Sequence, residues 1–173
     1  HLLQFALKKT LGNHIEQRGS MLTEDIFRFD FSHQSKVTDK ELNDVEELVK
    51  SLIKDEIQCI EDRQANYHDA INAGAIGLFS EKYGDVVRTI KFGESYELCG
   101  GTHVNNTREI EDFKIISESS QAFGIRRITA SSNKIRIKEE QLKYQAIKEK
   151  AESEKASKLL QKEIDSQNKI KIQ

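Results

Sequence analysis

The sequence predicts an α+β fold, a mostly antiparallel sheet with packed helices, followed by a long C-terminal helix. Three observations carry that expectation. Phe27-Arg28-Phe29-Asp30-Phe31-Ser32 alternates apolar and polar residues without a break, the period of a half-buried strand. Thr38-Asp39-Lys40-Glu41 is a capping box, and it opens a stretch in which Leu42, Val45, Leu48, Val49, Leu52 and Ile53 share one helical face. After Gly124, the last of nine glycines, the chain turns polar, and residues 138–173 carry nine lysines and seven acids with one aromatic, Tyr144.

Taken in order, Leu2, Leu3, Ala6, Leu7 and Leu11 follow helical spacing, and Gly12 stops the helix. The strand at Phe27–Ser32 and the capped helix come next. A shorter helix around Asn66–Ala73 ends at Gly74, and strand-like runs follow at Val86–Phe92, Phe113–Ser119 and Ile125–Ser131. Strands, a helix and more strands suit one sheet covered on one face better than a regular βαβ repeat. In the tail, Leu142, Ala146, Ile147, Leu159, Leu160 and Ile164 are too sparse to make a full apolar face, although lysine, glutamate, glutamine and alanine favour helix. Residues 1–134 are therefore read as a globular domain and 135–173 as a polar helix that packs on a neighbour or frays.

With 173 residues there is room for one ordinary domain and an appendage. Lysine plus arginine number 27 against 29 acids, a net charge of −2, which excludes a binder that holds nucleic acid by bulk positive charge alone. Two cysteines, Cys59 and Cys99, are too few for a disulfide scaffold and point to a reducing, cytoplasmic setting. Apolar runs such as Ala75-Ile76-Gly77-Leu78-Phe79 are too short to span a membrane, and no signal-peptide pattern is present. A chain that opens on His1 instead of methionine reads as a piece of a longer one.

The sharpest local signal is Cys99-Gly100-Gly101-Thr102-His103. A thiolate and an imidazole four residues apart, separated by two glycines, can wrap a tight loop around one metal ion. Alone, the pair reads equally well as a turn with a buried cysteine and a surface histidine. His14, His33 and His68 have no role that spacing supplies, and Cys59 has no metal-spaced partner and reads as core.

A set of ordered segments resembles the editing domain of alanyl-tRNA synthetases. They are His1-Leu2-Leu3-Gln4-Phe5-Ala6-Leu7, Gln17-Arg18-Gly19-Ser20, Arg28-Phe29-Asp30-Phe31-Ser32-His33 and Leu78-Phe79-Ser80-Glu81-Lys82-Tyr83-Gly84. Glu97-Leu98-Cys99-Gly100-Gly101-Thr102-His103, Ile116-Ser117-Glu118-Ser119 and Gly124-Ile125-Arg126-Arg127-Ile128 complete the set, which covers residues 1 to about 134. The same fold serves free-standing alanyl-tRNA deacylases and the editing domain of threonyl-tRNA synthetase.

The resemblance implies hydrolysis of tRNA(Ala) mischarged with serine or glycine, at a zinc ion. It makes His1, Cys99 and His103 metal ligands, with the family's fourth ligand, a histidine, four positions before His1. It places Gln17 in the editing pocket, together with Thr102 and the amides of Gly100 and Gly101. Arg126 and Arg127, adjacent on a strand, point to opposite faces, one offered to the tRNA backbone and the other to an ion pair. The implied partners are the acceptor end of tRNA(Ala) and the rest of the synthetase. Residues 135–173 become a linker helix leading toward a C-terminal oligomerisation region. Two alternatives stay open: a free-standing deacylase acting in trans, and a non-catalytic RNA-binding or assembly module with a structural zinc.

Overall fold

A computed structural model describes residues 1–78 and 83–170, the last six by backbone alone. Phe79, Ser80, Glu81 and Lys82, part of one segment of the resemblance, lie outside the described residues. The chain divides into two compact units, residues 1–134 and 135–173.

In the first unit, helix α1 (Leu2–Leu11) buries Leu2, Leu3, Ala6 and Leu7. It ends at Gly12, whose φ of +118° is open to glycine and strained for residues with a Cβ. Helix α2 (Asp39–Lys54) starts at the expected capping box: the Glu41 amide donates to Thr38 Oγ1 at 3.2 Å, and the Thr38 amide donates to the Glu41 carboxylate at 2.8 Å. Its buried stripe, Val45, Val49 and Ile53, also carries a carboxylate, Glu46.

The strands make two antiparallel sheets where one was expected. The first joins β1 (Gln17–Leu22), β2 (Phe27–Ser32), β7 (Ile125–Ser131) and β6 (Lys114–Ala122) in that order. Phe29 and Phe31 of β2 and Ile128 and Ala130 of β7 line its buried face. The second orders β3 (Ile60–Asn66), β4 (Val86–Phe92) and β5 (Ser95–Leu98), with Val87, Ile90, Phe92 and Leu98 buried. Helix α3 (Tyr67–Asn72) is capped by the Asn66 side chain. A parallel bridge through Ile76 holds the outer edge of β5, with Leu98 N–H donating to the Ile76 carbonyl at 2.8 Å. β5 thus enters the Cys99 loop from a strand bonded on both sides.

Helix α2 is locked to β6 through Glu46. Its carboxylate accepts from Lys50 Nζ at 2.8 Å, Lys114 Nζ at 3.0 Å and the Ile115 amide at 2.9 Å. Burial works to raise the Glu46 pKa, but these three donors outweigh it and hold the carboxyl below its ordinary value.

The helix of the second unit, α4, begins at Lys134 and runs to Ile170. It carries pairs along its own surface, such as Arg136 with Glu140 at 2.7 Å, while Leu142, Ile147, Leu159 and Leu160 stand exposed.

Candidate metal centre

Two distant stretches of chain meet at the N-terminus of α1. His1, Cys99 and His103 each offer one ligand atom, and the three atoms all lie within 4.8 Å of one another. His1 Nε2 stands 2.8 Å from His103 Nε2, with the rings stacked. The other nitrogen of His1, Nδ1, lies 2.6 Å from the Glu97 carboxylate, which is only 4% exposed. A carboxylate accepts but does not donate, so His1 carries its proton on Nδ1 and turns the Nε2 lone pair toward the cluster.

The loop between the ligands is held from beneath. Arg88 of β4 donates through one guanidinium nitrogen to the Cys99 carbonyl at 2.9 Å and the Gly101 carbonyl at 2.6 Å. Its Nε donates to Glu61 at 2.6 Å. The Gly101 amide donates to Cys99 Sγ at 3.4 Å. Neither Glu97 nor Arg88 stands out in the sequence. Glu97 meets a residue 96 positions away, Arg88 reaches carbonyls 11 and 13 positions on, and no spacing links either to the histidines.

Burial lowers the His1 pKa, but the Glu97 hydrogen bond and charge, with help from Cys99, more than offset it and leave the ring more basic than usual. For His103, burial and then the His1 and Arg88 charges act together and push the pKa down. His103 Nδ1 is also buried with no hydrogen-bond partner, an unsatisfied nitrogen at the edge of the cluster. A thiolate, two imidazoles and a carboxylate behind one of them form a donor set that fits zinc.

A cavity of about 310 Å³ opens beside the cluster. His1, Thr102 and His103 line it together with apolar residues that include Leu22, Phe27, Phe92 and Phe113. Gly100 and Gly101, expected in the pocket wall, are exposed and are not among its lining residues. Gln17 is not brought there either. It starts β1, and Leu22, which does line the cavity, lies five residue steps away, about 16 Å along an extended strand. Its amide donates to Ser20 Oγ at 3.1 Å.

Arg126 and Arg127 do point to opposite faces, but both are committed to carboxylates. Arg126 holds Glu118 through two nitrogens, one at 2.7 Å, and Arg127 holds Asp30 at 2.6 and 2.8 Å. Strand pairing brings these partners within reach: Asp30 sits directly across from Arg127, and Glu118 diagonally from Arg126. Cys59 is half-buried against the core, and its thiol pKa is raised by burial.

Residues 87–129 match the family described as the threonyl and alanyl tRNA synthetase second additional domain, a stretch running from β4 to β7 and including Cys99 and His103. Beyond it, the chain is 53% identical over 138 residues, 80% of its length, to an alanine–tRNA ligase of Christiangramia forsetii. The chain matches the alanine–tRNA ligases. An alanine–tRNA ligase of Bacteroides fragilis is 55% identical over 130 residues, and one of Thermoanaerobacter sp. is 45% identical over 157 residues, 90% of this chain. Those matches cover 16%, 15% and 18% of the respective alanine–tRNA ligases, so the chain spans about a sixth of the curated relatives it matches. Among the described residues no helix is long and apolar enough to cross a membrane.

Proposed function

We propose that this chain is the editing part of an alanine–tRNA ligase and hydrolyses the ester of tRNA(Ala) wrongly charged with serine or glycine. The observation that carries this reading is the convergence of His1, Cys99 and His103 beside a cavity, in a chain that matches these ligases. Residues 1–134 are the editing domain and residues 135–173 the linker helix. Its partners are the acceptor end of tRNA(Ala) in the cytoplasm, the remainder of the ligase, and further copies joined through the region after the helix.

The substrate is an ester between an amino acid and the terminal ribose, and hydrolysis needs a positioned water and relief of negative charge on the carbonyl oxygen. A zinc ion held by His1, Cys99 and His103 would supply positive charge that polarises the ester or holds the substrate amine. Glu97 fixes the His1 ring for that task, and Arg88 fixes the loop carrying the other two ligands. Thr102, which is exposed and lines the cavity, would hydrogen-bond the ester or a seryl hydroxyl. A site that bonds the seryl hydroxyl spares alanine, whose methyl group would leave the polar partner unpaired. Contact with tRNA phosphates by Arg126 or Arg127 would require a guanidinium to leave its carboxylate.

The test is deacylation of Ser-tRNA(Ala) measured beside metal content. Cys99→Ala is expected to lose zinc and hydrolysis together. Gln17→Ala is expected to keep zinc and, given its distance from the cavity, to keep hydrolysis. Loss of hydrolysis with zinc retained would return Gln17 to the substrate. A chain that holds stoichiometric zinc and binds tRNA(Ala) yet hydrolyses nothing would be a non-catalytic module, and the proposal would fail.

A further inference from the structure

A second pair of histidines meets at the other end of α1, where neither the ligand triad nor the cavity reaches. His14 follows Gly12 in the turn after α1, and His33 follows the last residue of β2. His14 Nε2 lies 2.9 Å from His33 Nδ1, and the ring planes are 24° apart. We propose that His14 and His33 form a second metal site, a bidentate imidazole pair for a late first-row divalent ion such as nickel(II) or copper(II).

The two segments are stapled together before any ion arrives. Ser32 Oγ donates to the His14 carbonyl at 2.7 Å and accepts from the Glu16 amide at 2.8 Å. The Ser32 amide donates to the Glu16 carbonyl at 3.0 Å, and the His33 amide donates to the Gly124 carbonyl at 2.9 Å. The His14 ring rests against Gly12, where an added Cβ would sit 3.1 Å from Nδ1. The pair is therefore pre-positioned, and binding orders little that is not already ordered.

Geometry selects the kind of ion. With metal–nitrogen bonds of about 2.0–2.1 Å, nitrogens this close subtend about 90° at a shared ion. That angle is open to neighbouring positions of a square-planar or octahedral ion. Two carboxylates, Glu41 and Glu118, and one guanidinium, Arg126, act on His33. No thiol stands among these neighbours, so the pair lacks the soft ligand that suits Cys99's cluster to zinc.

The site is independent of the proposed hydrolysis and is tested apart from it. The chain is first given one equivalent of Zn²⁺ and then titrated with Ni²⁺ by calorimetry, in buffer free of imidazole and chelators. One further site is expected, weakened at least about tenfold in His14→Ala and in His33→Ala, since even an outer partner of a metal ligand costs that much. His68→Ala, at an exposed histidine away from the pair, should bind as the parent chain does. In amide spectra, sub-stoichiometric Ni²⁺ should broaden signals around residues 12–16 and 31–34 first. His33→Gln, which keeps a polar side chain of similar reach, guards against loss of fold. No Ni²⁺ site, a site indifferent to His14 and His33, or broadening centred on residues 99–103 would each overturn the proposal.

Discussion

Replacing Glu97 with glutamine probes the metal centre without touching a ligand. The wild-type carboxylate is nearly fully buried and accepts the His1 Nδ1 proton at 2.6 Å. Glutamine keeps the shape and an accepting oxygen, so His1 retains its orientation, but the negative charge behind the ring is gone. A hydrogen bond to a charged group contributes about 1.5–3 kcal/mol and a neutral one about 1 kcal/mol, a difference of roughly 0.5–2 kcal/mol. At 1.4 kcal/mol per tenfold, that is a loss in zinc affinity of about 2- to 30-fold. The upper half of that range overlaps the 10- to 100-fold typical of such outer partners. Competition with a fluorescent zinc chelator measures the change, and the cobalt(II) absorption spectrum reports whether the Cys99 thiolate still binds. Glu94→Gln is the control, because Glu94 is exposed and pairs with Lys9 away from the triad. Zinc affinity in Glu97→Gln equal to that of Glu94→Gln would refute the reasoning, since the charge behind His1 would then do nothing for the ion.

Arg88→Ala should free the Cys99 and Gly101 carbonyls, raising hydrogen exchange at the Gly101 and Thr102 amides and weakening zinc binding, and Arg88→Lys should restore it only in part because an ammonium that reaches both carbonyls cannot also supply the second nitrogen that holds Glu61. Glu46→Gln should lower stability at pH 7 by about 2–3 kcal/mol, less than a fully buried pair because both lysines are about a third exposed. Because the folded pKa of Glu46 lies below the unfolded value of about 4.3, its contribution is complete above that pH and is lost as pH falls through the folded pKa. Thermal melts of Glu46→Gln and parent chain should therefore converge in acid, and a gap that does not narrow as the pH falls would exclude the carboxylate as its source.

The corrections share a cause. One sheet was expected where there are two, because β1, β3 and β5 carry no alternation to announce them. β1 and β3 are exposed along most of their length, and β5 is four residues long. They are strands because β2 and β4 lie beside them, and backbone pairing is indifferent to the side chains of an edge strand. Helix α4 starts at Lys134, ahead of the lysine-rich stretch that announced it, because the first turn of a helix is marked less by composition than by where the preceding strand ends.

Elements whose cause is local could be read from the residues alone. The strict alternation of Phe27–Ser32 and the apolar runs at Val86–Phe92 and Ile125–Ser131 became strands with those bounds, and Thr38 with Glu41 began α2 at the expected residue. Cys99 and His103 were visible as half a metal site because both ligands sit on one loop. His1 came from the ordered resemblance and from no spacing within the chain. What stands behind the ligands came from the packing of distant elements: Glu97 against His1, 96 residues away, and Arg88 under the loop. That packing likewise gave both Arg126 and Arg127 to carboxylates and left Gln17 at the far end of its strand. Local pattern encodes which face of an element is buried, whereas a hydrogen bond between distant residues depends on how the elements pack, and no short window of sequence contains that.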